Sequence, residues 1–153
     1  MNNSAGKPET GAAIFRFFNE IGKIAQLSGH AIERVLPHEL KMAHFSVLNH
    51  LARLGGEPSL VEIARAMQVT KGAMTNTIAR LEKKGYVAVT PDERDRRSKR
   101  VRLTDAGLEA RDNAVAAIAP ELLELAKSVS APDMIEALPL LEKIRRYLDD
   151  NRS

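Results

Sequence analysis

The 153-residue chain contains no cysteine and no tryptophan. Without cysteine there is no disulfide, no thiolate–metal site and no sensing by thiol oxidation. Aromatics are sparse, four Phe and two Tyr, and three of them crowd together as Phe15, Phe17 and Phe18. That leaves no Phe/Trp-rich platform for stacking single-stranded bases. No apolar run approaches the roughly 18 residues of a membrane helix. The first ten residues, MNNSAGKPET, lack the apolar segment of a secretory signal. A cytoplasmic protein is expected, with no membrane partner. Catalytic signatures are missing too: there is no Gly-rich phosphate loop, no G-x-S-x-G and no nucleophile–base pair. His38 and His44 are six residues apart, not at the H-E-x-x-H spacing, and on a helix their rings would lie about 120° out of line. The expectation is a non-enzyme with no cofactor and no metal.

What remains is a globular composition, 44% hydrophobic and 28% charged, sized for one domain. The net charge of +3 is unevenly spread. Residues 70–91 and 92–104 each carry +3, whereas residues 105–153 carry −4. A basic patch of this kind is the footprint of a polyanion partner.

The order of elements narrows the class. Apolar residues at three-, four- and seven-residue steps (Ile14, Phe18, Ile21, Ala25, Ile32, Val35) predict a long helix over 11–35, and Pro37 starts a new segment. Met42, Phe45, Leu48, Leu51 and Ala52 predict a helix over 39–54, stopped at Gly55-Gly56. Ser59 to Glu62 has the spacing of a capping box, and Ile63, Ala66 and Met67 are its expected buried face. Thr70 is placed to cap a further helix at 71–84 with Met74, Ile78 and Leu81 inward. Residues 86–90 and 101–103 read as two strands joined by the basic loop PDERDRRSKR. Thr104-Asp105 opens another helix with the stripe Leu108, Val115, Ile118, Leu122, Leu125 and Val129. A last helix carries Met134, Leu138, Leu141, Ile144 and Leu148. Pro120 and Pro139 are expected to bend these two. A helix-turn-helix followed by a long-tipped hairpin is the order of a winged helix. The fold expected is mainly α: a winged helix-turn-helix with a small β-hairpin wing, flanked by N- and C-terminal helices.

Three stretches carry a family resemblance: VTKGAMTNTIARLEKKGYV at 69–87, the D-x-R-D-x-R pattern of DERDRR at 92–97, and L-T-x-x-G at 103–107. With this spacing the chain resembles the MarR family of dimeric winged-helix transcription factors. The resemblance implies a disordered tail over 1–10 and one domain over 11–150, with dimerisation helices at 11–36 and 105–150 and a DNA-binding lobe at 38–104. Asn76, Ala79 and Thr77 depart from the arginine, aspartate and apolar residue common in the family, so the operator sequence does not transfer.

DNA recognition needs charge for phosphates and shaped polar groups for base edges. With Met74, Ile78 and Leu81 inward, the helix turns Lys71, Gly72, Thr75 and Asn76 outward. Thr70, Lys71, Gly72 and Ala73 form its N-terminus, suited to phosphate. Asn76 suits adenine, the Thr75 methyl suits thymine, and Arg80 reaches phosphate from the flank. In the wing, Arg94 is by resemblance the side chain entering the minor groove. Asp92 and Asp95 orient the loop against Arg97 or neighbours, and Arg96, Lys99 and Arg100 attract phosphate. The resemblance further implies double-stranded DNA as partner, a homodimer, a repressor role on a pseudo-palindromic operator, and a small aromatic or phenolic effector. The effector pocket expected is Phe17, Phe18, Ile21, His44 and Phe45. The alternative reading is a winged-helix protein–protein module, and the basic hairpin argues against it.

Overall fold

The structure, a computed structural model, describes residues 6–151. Its elements in chain order are α1 (Gly6–Val35), α2 (Met42–Leu54), α3 (Leu60–Ala66), α4 (Lys71–Lys83), β1 (Val87–Pro91), β2 (Lys99–Leu103), α5 (Asp105–Ser128) and α6 (Ala131–Asp150). Two compact units divide the chain within α5, one running through Ile118 and the other starting at Ala119. The N-terminal tail differs from expectation. Residues 6–10 already belong to α1, while residues 1–5 lie outside the described residues.

The core of the first unit is built from short apolar faces. Val47, Leu48 and Leu51 of α2, Leu60, Ile63 and Ala64 of α3, and Met74, Ile78 and Leu81 of α4 are all buried, together with Val87 and Val101 of the hairpin. In α3 the buried small residue is Ala64, not Ala66. Leu60, Ile63, Ala64 and the half-buried Met67 fall at i, i+3, i+4 and i+7, one helical stripe.

α2 starts at Met42 instead of residue 39. His38 and Glu39 both adopt positive φ, 59° and 56°, which no α-helix can continue. The reversal is tied down at both ends. Leu40 N–H donates to the Pro37 carbonyl, and the Met42 amide donates to Glu33 Oε1 at 2.8 Å.

The hairpin is antiparallel with Val87 opposite Leu103 and Pro91 opposite Lys99. β1 is shifted by one residue and β2 starts two residues earlier than predicted, so the wing tip shrinks to residues 92–98. The far edge of β2 is also occupied: Val101 N–H donates to the Pro58 carbonyl, and Ser59 bridges to Arg100.

The L-T-x-x-G sequence has a steric explanation. Thr104 Oγ1 donates to the Gly85 carbonyl at 2.6 Å and accepts from Gly107 N–H at 3.0 Å, while Thr104 N–H donates to the Tyr86 carbonyl. A methyl at residue 107 would overlap that same Tyr86 carbonyl. Gly107, Ala110, Ala114 and Ile118 form the buried face of α5. Of the stripe predicted for this helix only Ile118 meets the core: Leu108, Val115, Leu122, Leu125 and Val129 are all exposed. Small residues let α5 approach the core closely, leaving the bulky ones on the opposite side. Arg111 ties α5 to α2 through Asn49 Oδ1, at 3.1 and 3.0 Å.

In the second unit, Ser130 Oγ caps α6 by accepting from Asp133 N–H. α5 and α6 each run as one continuous helix through Pro120 and Pro139 respectively. No residue of α6 is buried.

Candidate nucleic-acid interface

The helix-turn-helix is set by local capping. Ser59 N–H donates to Glu62 Oε2 at 2.6 Å, and Glu62 N–H donates back to Ser59 Oγ at 3.2 Å. These bonds from Ser59, backbone first, hold the Glu62 carboxyl below its ordinary pKa, with Arg100 adding to them. After α3 the chain turns through Gln68 at φ 59°, and Val69 N–H closes on the Ala64 carbonyl.

Thr70 then caps α4 as expected, its Oγ1 accepting from Ala73 N–H at 3.1 Å. This corrects one detail of the anion site: Ala73 spends its amide on the cap. The Lys71 and Gly72 amides remain as the donors of a helix start. Thr75 Oγ1 donates to the Lys71 carbonyl at 2.8 Å, so a base edge would meet its methyl group and oxygen lone pair, not a donor. Thr77 is accommodated in a half-buried position because its hydroxyl donates to the Ala73 carbonyl. Lys71, Gly72, Thr75, Asn76 and Arg80 are all exposed. Asn76 has no hydrogen-bonding partner among the described residues, so both faces of its amide are available.

The wing is a pair of turns held by aspartates. Asp92 is buried; its Oδ1 accepts from Arg94 N–H at 3.0 Å and its Oδ2 from Arg100 Nε at 2.8 Å. The Arg94 amide, followed by Arg100, keeps the Asp92 carboxyl below the usual carboxylate range. Asp95 Oδ1 accepts from Arg97 N–H at 2.9 Å, and Ser98 N–H returns to the Asp95 carbonyl. These are side-chain-capped turns; the aspartates grip backbone amides, and Asp95 does not pair with the Arg97 guanidinium.

Arg100 departs from the role expected of it. Its guanidinium holds Asp92, donates to the Glu57 carbonyl at 3.2 Å and lies 3.5 Å from Glu62. It braces the wing against the start of α3 and is not a free phosphate ligand. Glu57 and Glu62 thereby join the site as supports. The capping-box spacing marked Glu62, whereas nothing in the pattern marked Glu57. The side chains of Arg94, Arg96, Arg97 and Lys99 make no ion pair among the described residues and are exposed.

The two basic segments meet. Lys71 and Thr75 of α4 face Asp95, Arg97 and Lys99 of the wing across one cleft of about 350 Å³. A helix N-terminus and a basic loop therefore present unpaired cations on one surface, a winged helix with α4 and its wing side by side.

The comparisons show which winged helices this one resembles. Residues 38–98 match the model of the MarR family. Among solved structures, the transcriptional regulator BldR from Sulfolobus solfataricus is 25% identical, with a TM-score of 0.74 over 94% of this chain and 99% of that one. A mutant MarR from E. coli complexed with operator DNA is 27% identical, with a TM-score of 0.75 over 86% and 95%. Bordetella bronchiseptica BpsR, described with regulation of its DNA binding by 6-hydroxynicotinic acid, is 25% identical, with a TM-score of 0.71 over 84% and 98%. Over residues 38–98 the chain is similar to the MarR family, and the solved structures it resembles include transcriptional regulators.

The expected effector residues are not assembled as a group. Phe17 and Phe18 are exposed and stack edge-to-face, 5.7 Å between ring centroids. Ile21 is half-buried, and Phe45 packs against the core. His44, itself buried, lines a cavity whose other walls are Glu33 of α1, residues 36–41 between α1 and α2, and the C-terminal end of α4. At 1.5 Å per residue, Phe18 lies about 22 Å along the helix axis from Glu33, the α1 residue of that cavity. Burial, followed by Arg80 and Lys84, lowers the His44 pKa. Among the described residues no cluster of three or more His, Asp or Glu could hold a metal ion, and no helix is long and apolar enough to cross a membrane.

Proposed function

We propose that this protein is a sequence-specific DNA-binding regulator, a repressor that acts as a homodimer on a pseudo-palindromic operator and responds to a small-molecule effector. The single observation carrying the DNA reading is the shared cleft, where the α4 N-terminus and the wing expose unpaired Lys71, Arg97 and Lys99 side by side. In this reading Asn76 and Thr75 select bases, while Lys71, Arg80 and the wing arginines hold phosphates. Arg94 enters the minor groove, and Arg100 acts indirectly by fixing the loop. The protein works by binding, with no chemical step.

Homodimerisation is supported by the apolar surface one chain leaves uncovered. Ile14, Phe15 and Phe18 are exposed on α1, as are Leu122 and Leu125 of α5 and Leu138 and Leu148 of α6. Exposed apolar area on this scale marks an interaction surface. A two-fold dimer would present two reading helices to half-sites one helical turn apart, about 34–36 Å. The ligand reading draws support from BpsR, whose DNA binding is regulated by 6-hydroxynicotinic acid.

The test is selection of bound duplexes from a random pool, with the mass of the complex measured by sedimentation. The expected result is an inverted repeat with half-site centres about 10 bp apart, bound by two chains. Recovery of random sequence, or of a single half-site bound by one chain, contradicts the proposal.

A further inference from the structure

The outward face of α4 is chemically sparse. On a helix, Gly72, Thr75, Asn76 and Ala79 share an arc of about 100°, with Lys71 and Arg80 about 40° beyond its two edges. All six are exposed. Lys83 falls on the same stripe but about 10 Å further along the axis than Asn76, away from the N-terminal half that meets base edges. Within the arc, Gly72 and Ala79 bring no polar side-chain atom. The Thr75 hydroxyl proton is committed to the Lys71 carbonyl at 2.8 Å, so Thr75 adds a methyl and no donor. Asn76 is therefore the side chain of the arc left to donate to a base, and its amide has no partner among the described residues.

A free amide selects among bases by what it can satisfy. It holds a donor, Nδ2, beside an acceptor, Oδ1. In the major groove only adenine presents the matching pair, the N7 acceptor beside the N6–H donor. Guanine shows two acceptors, thymine one acceptor and cytosine one donor. The arc carries no arginine or lysine to pair with guanine. Its methyl groups, on Thr75 and Ala79, flank Asn76 and suit the 5-methyl of thymine.

This recognition is sensitive to one chemical change in the DNA. Adenine N6 carries two hydrogens; one pairs with thymine, and the other is the donor for Oδ1. A methyl on N6 that leaves the base pair intact must replace the second hydrogen, beside N7. It removes the donor and stands where Oδ1 would approach.

We infer that this chain discriminates DNA by its methylation state: each α4 reads an adenine through Asn76, beside a thymine methyl met by Thr75, and N6-methylation of that adenine opposes binding. The inference rests on the DNA-binding reading above and deepens it by naming the base group recognised.

The test titrates the full chain, at one fixed salt concentration, against the duplex recovered by selection from a random pool. Each adenine is replaced in turn by N6-methyladenine, and each thymine by uracil. One adenine per half-site should respond, methylation weakening binding about tenfold in one half-site and about a hundredfold in both. Uracil in place of the neighbouring thymine should cost about fourfold, the worth of one buried methyl. Asn76→Ala should bind the unmodified duplex more weakly and lose nothing further on methylation. Thr75→Ser, which keeps the hydroxyl, should no longer respond to uracil, while Thr75→Val still does. The inference is overturned if no adenine responds, or if the methylation penalty persists in Asn76→Ala and so reflects a deformed duplex. It is overturned equally if Thr75→Ser still distinguishes thymine from uracil. Tight, sequence-specific binding with no responsive adenine removes the inference alone. Failure to bind any duplex removes the regulator reading, and the inference with it.

Discussion

Replacing Gly107 with alanine tests the packing of α5 on the winged helix, and the structure sets its magnitude. The new methyl would overlap the Tyr86 backbone carbonyl and crowd the Leu103 side chain. A side chain could swing aside, but this carbonyl is fixed at the start of the hairpin and accepts the Thr104 amide. α5 must therefore retreat, loosening Ala110 and Ala114 from the core. Overpacking of this kind costs about 1–3 kcal/mol, and a stretched hydrogen bond adds about 1. Better helix propensity returns up to about 1 kcal/mol. The net expectation is a loss of about 2 kcal/mol, or about 1 M in the urea midpoint at fixed protein concentration. The same substitution at Gly72 is the internal control, because nothing lies within 4 Å of its position. Gly72→Ala should stabilise the fold slightly yet weaken DNA binding, since its methyl would stand between the α4 amides and a phosphate. A Gly107→Ala protein as stable as the parent would refute the steric reading of L-T-x-x-G.

Other outcomes follow from the interface. Arg94→Ala should cost about 1–3 kcal/mol of operator affinity with the urea midpoint unchanged. Arg100→Ala should also weaken operator binding, but with faster proteolysis at residues 92–98, because its contacts to Asp92 and the Glu57 carbonyl would be gone; an intact wing in that variant would argue against the brace. Asn76→Ala should relax preference at one base position per half-site, whereas Lys71→Ala should weaken all duplexes alike and flatten the salt slope by about one unit per protomer; equal losses on specific and random DNA would remove Asn76 from base reading. The Asp92 carboxyl titrates below its ordinary value of 3.8, so its support of the wing is complete above that pH and lost as pH falls through the lower folded value. Amide protection at Arg94 should therefore hold level from neutral pH to about pH 5 and collapse only below 3.8; a loss near neutral pH would contradict the assignment.

The fold was largely legible because its determinants are local. Ser59 with Glu62, Thr70 as a cap and the β-branched run Val87-Ala88-Val89-Thr90 each announce an element without reference to the rest of the chain. The misses have non-local causes. A stripe of Leu108, Val115 and Leu122 is as periodic as one of Gly107, Ala110 and Ala114, and periodicity does not say which stripe meets the core. Backbone crowding at Tyr86 decides it. Hydrophobic pattern likewise overlooks the left-handed pair His38-Glu39, which the Glu33 carboxylate and Lys84 support from other helices. Within the interface, the D-x-R-D-x-R spacing marked the right loop but could not separate the outward Arg94 from the inward Arg100. That distinction depends on the Glu57 carbonyl, 43 residues away in sequence. The Phe17–Phe18 effector expectation joined residues that are apolar alike but lie far along α1 from His44.

The central claim, that α4 and the wing form a phosphate-holding and base-reading surface, is tested most directly by the salt dependence of duplex binding. With Lys71, Arg80, Arg96 and Lys99 on phosphates in each half of a dimer, the plot of log affinity against log salt should have a slope of about −7. The slope should be steep on specific and random duplex alike, with the specific duplex bound at least about a thousandfold more tightly. A slope within about one unit of zero, or equal affinity for both duplexes, would contradict the account.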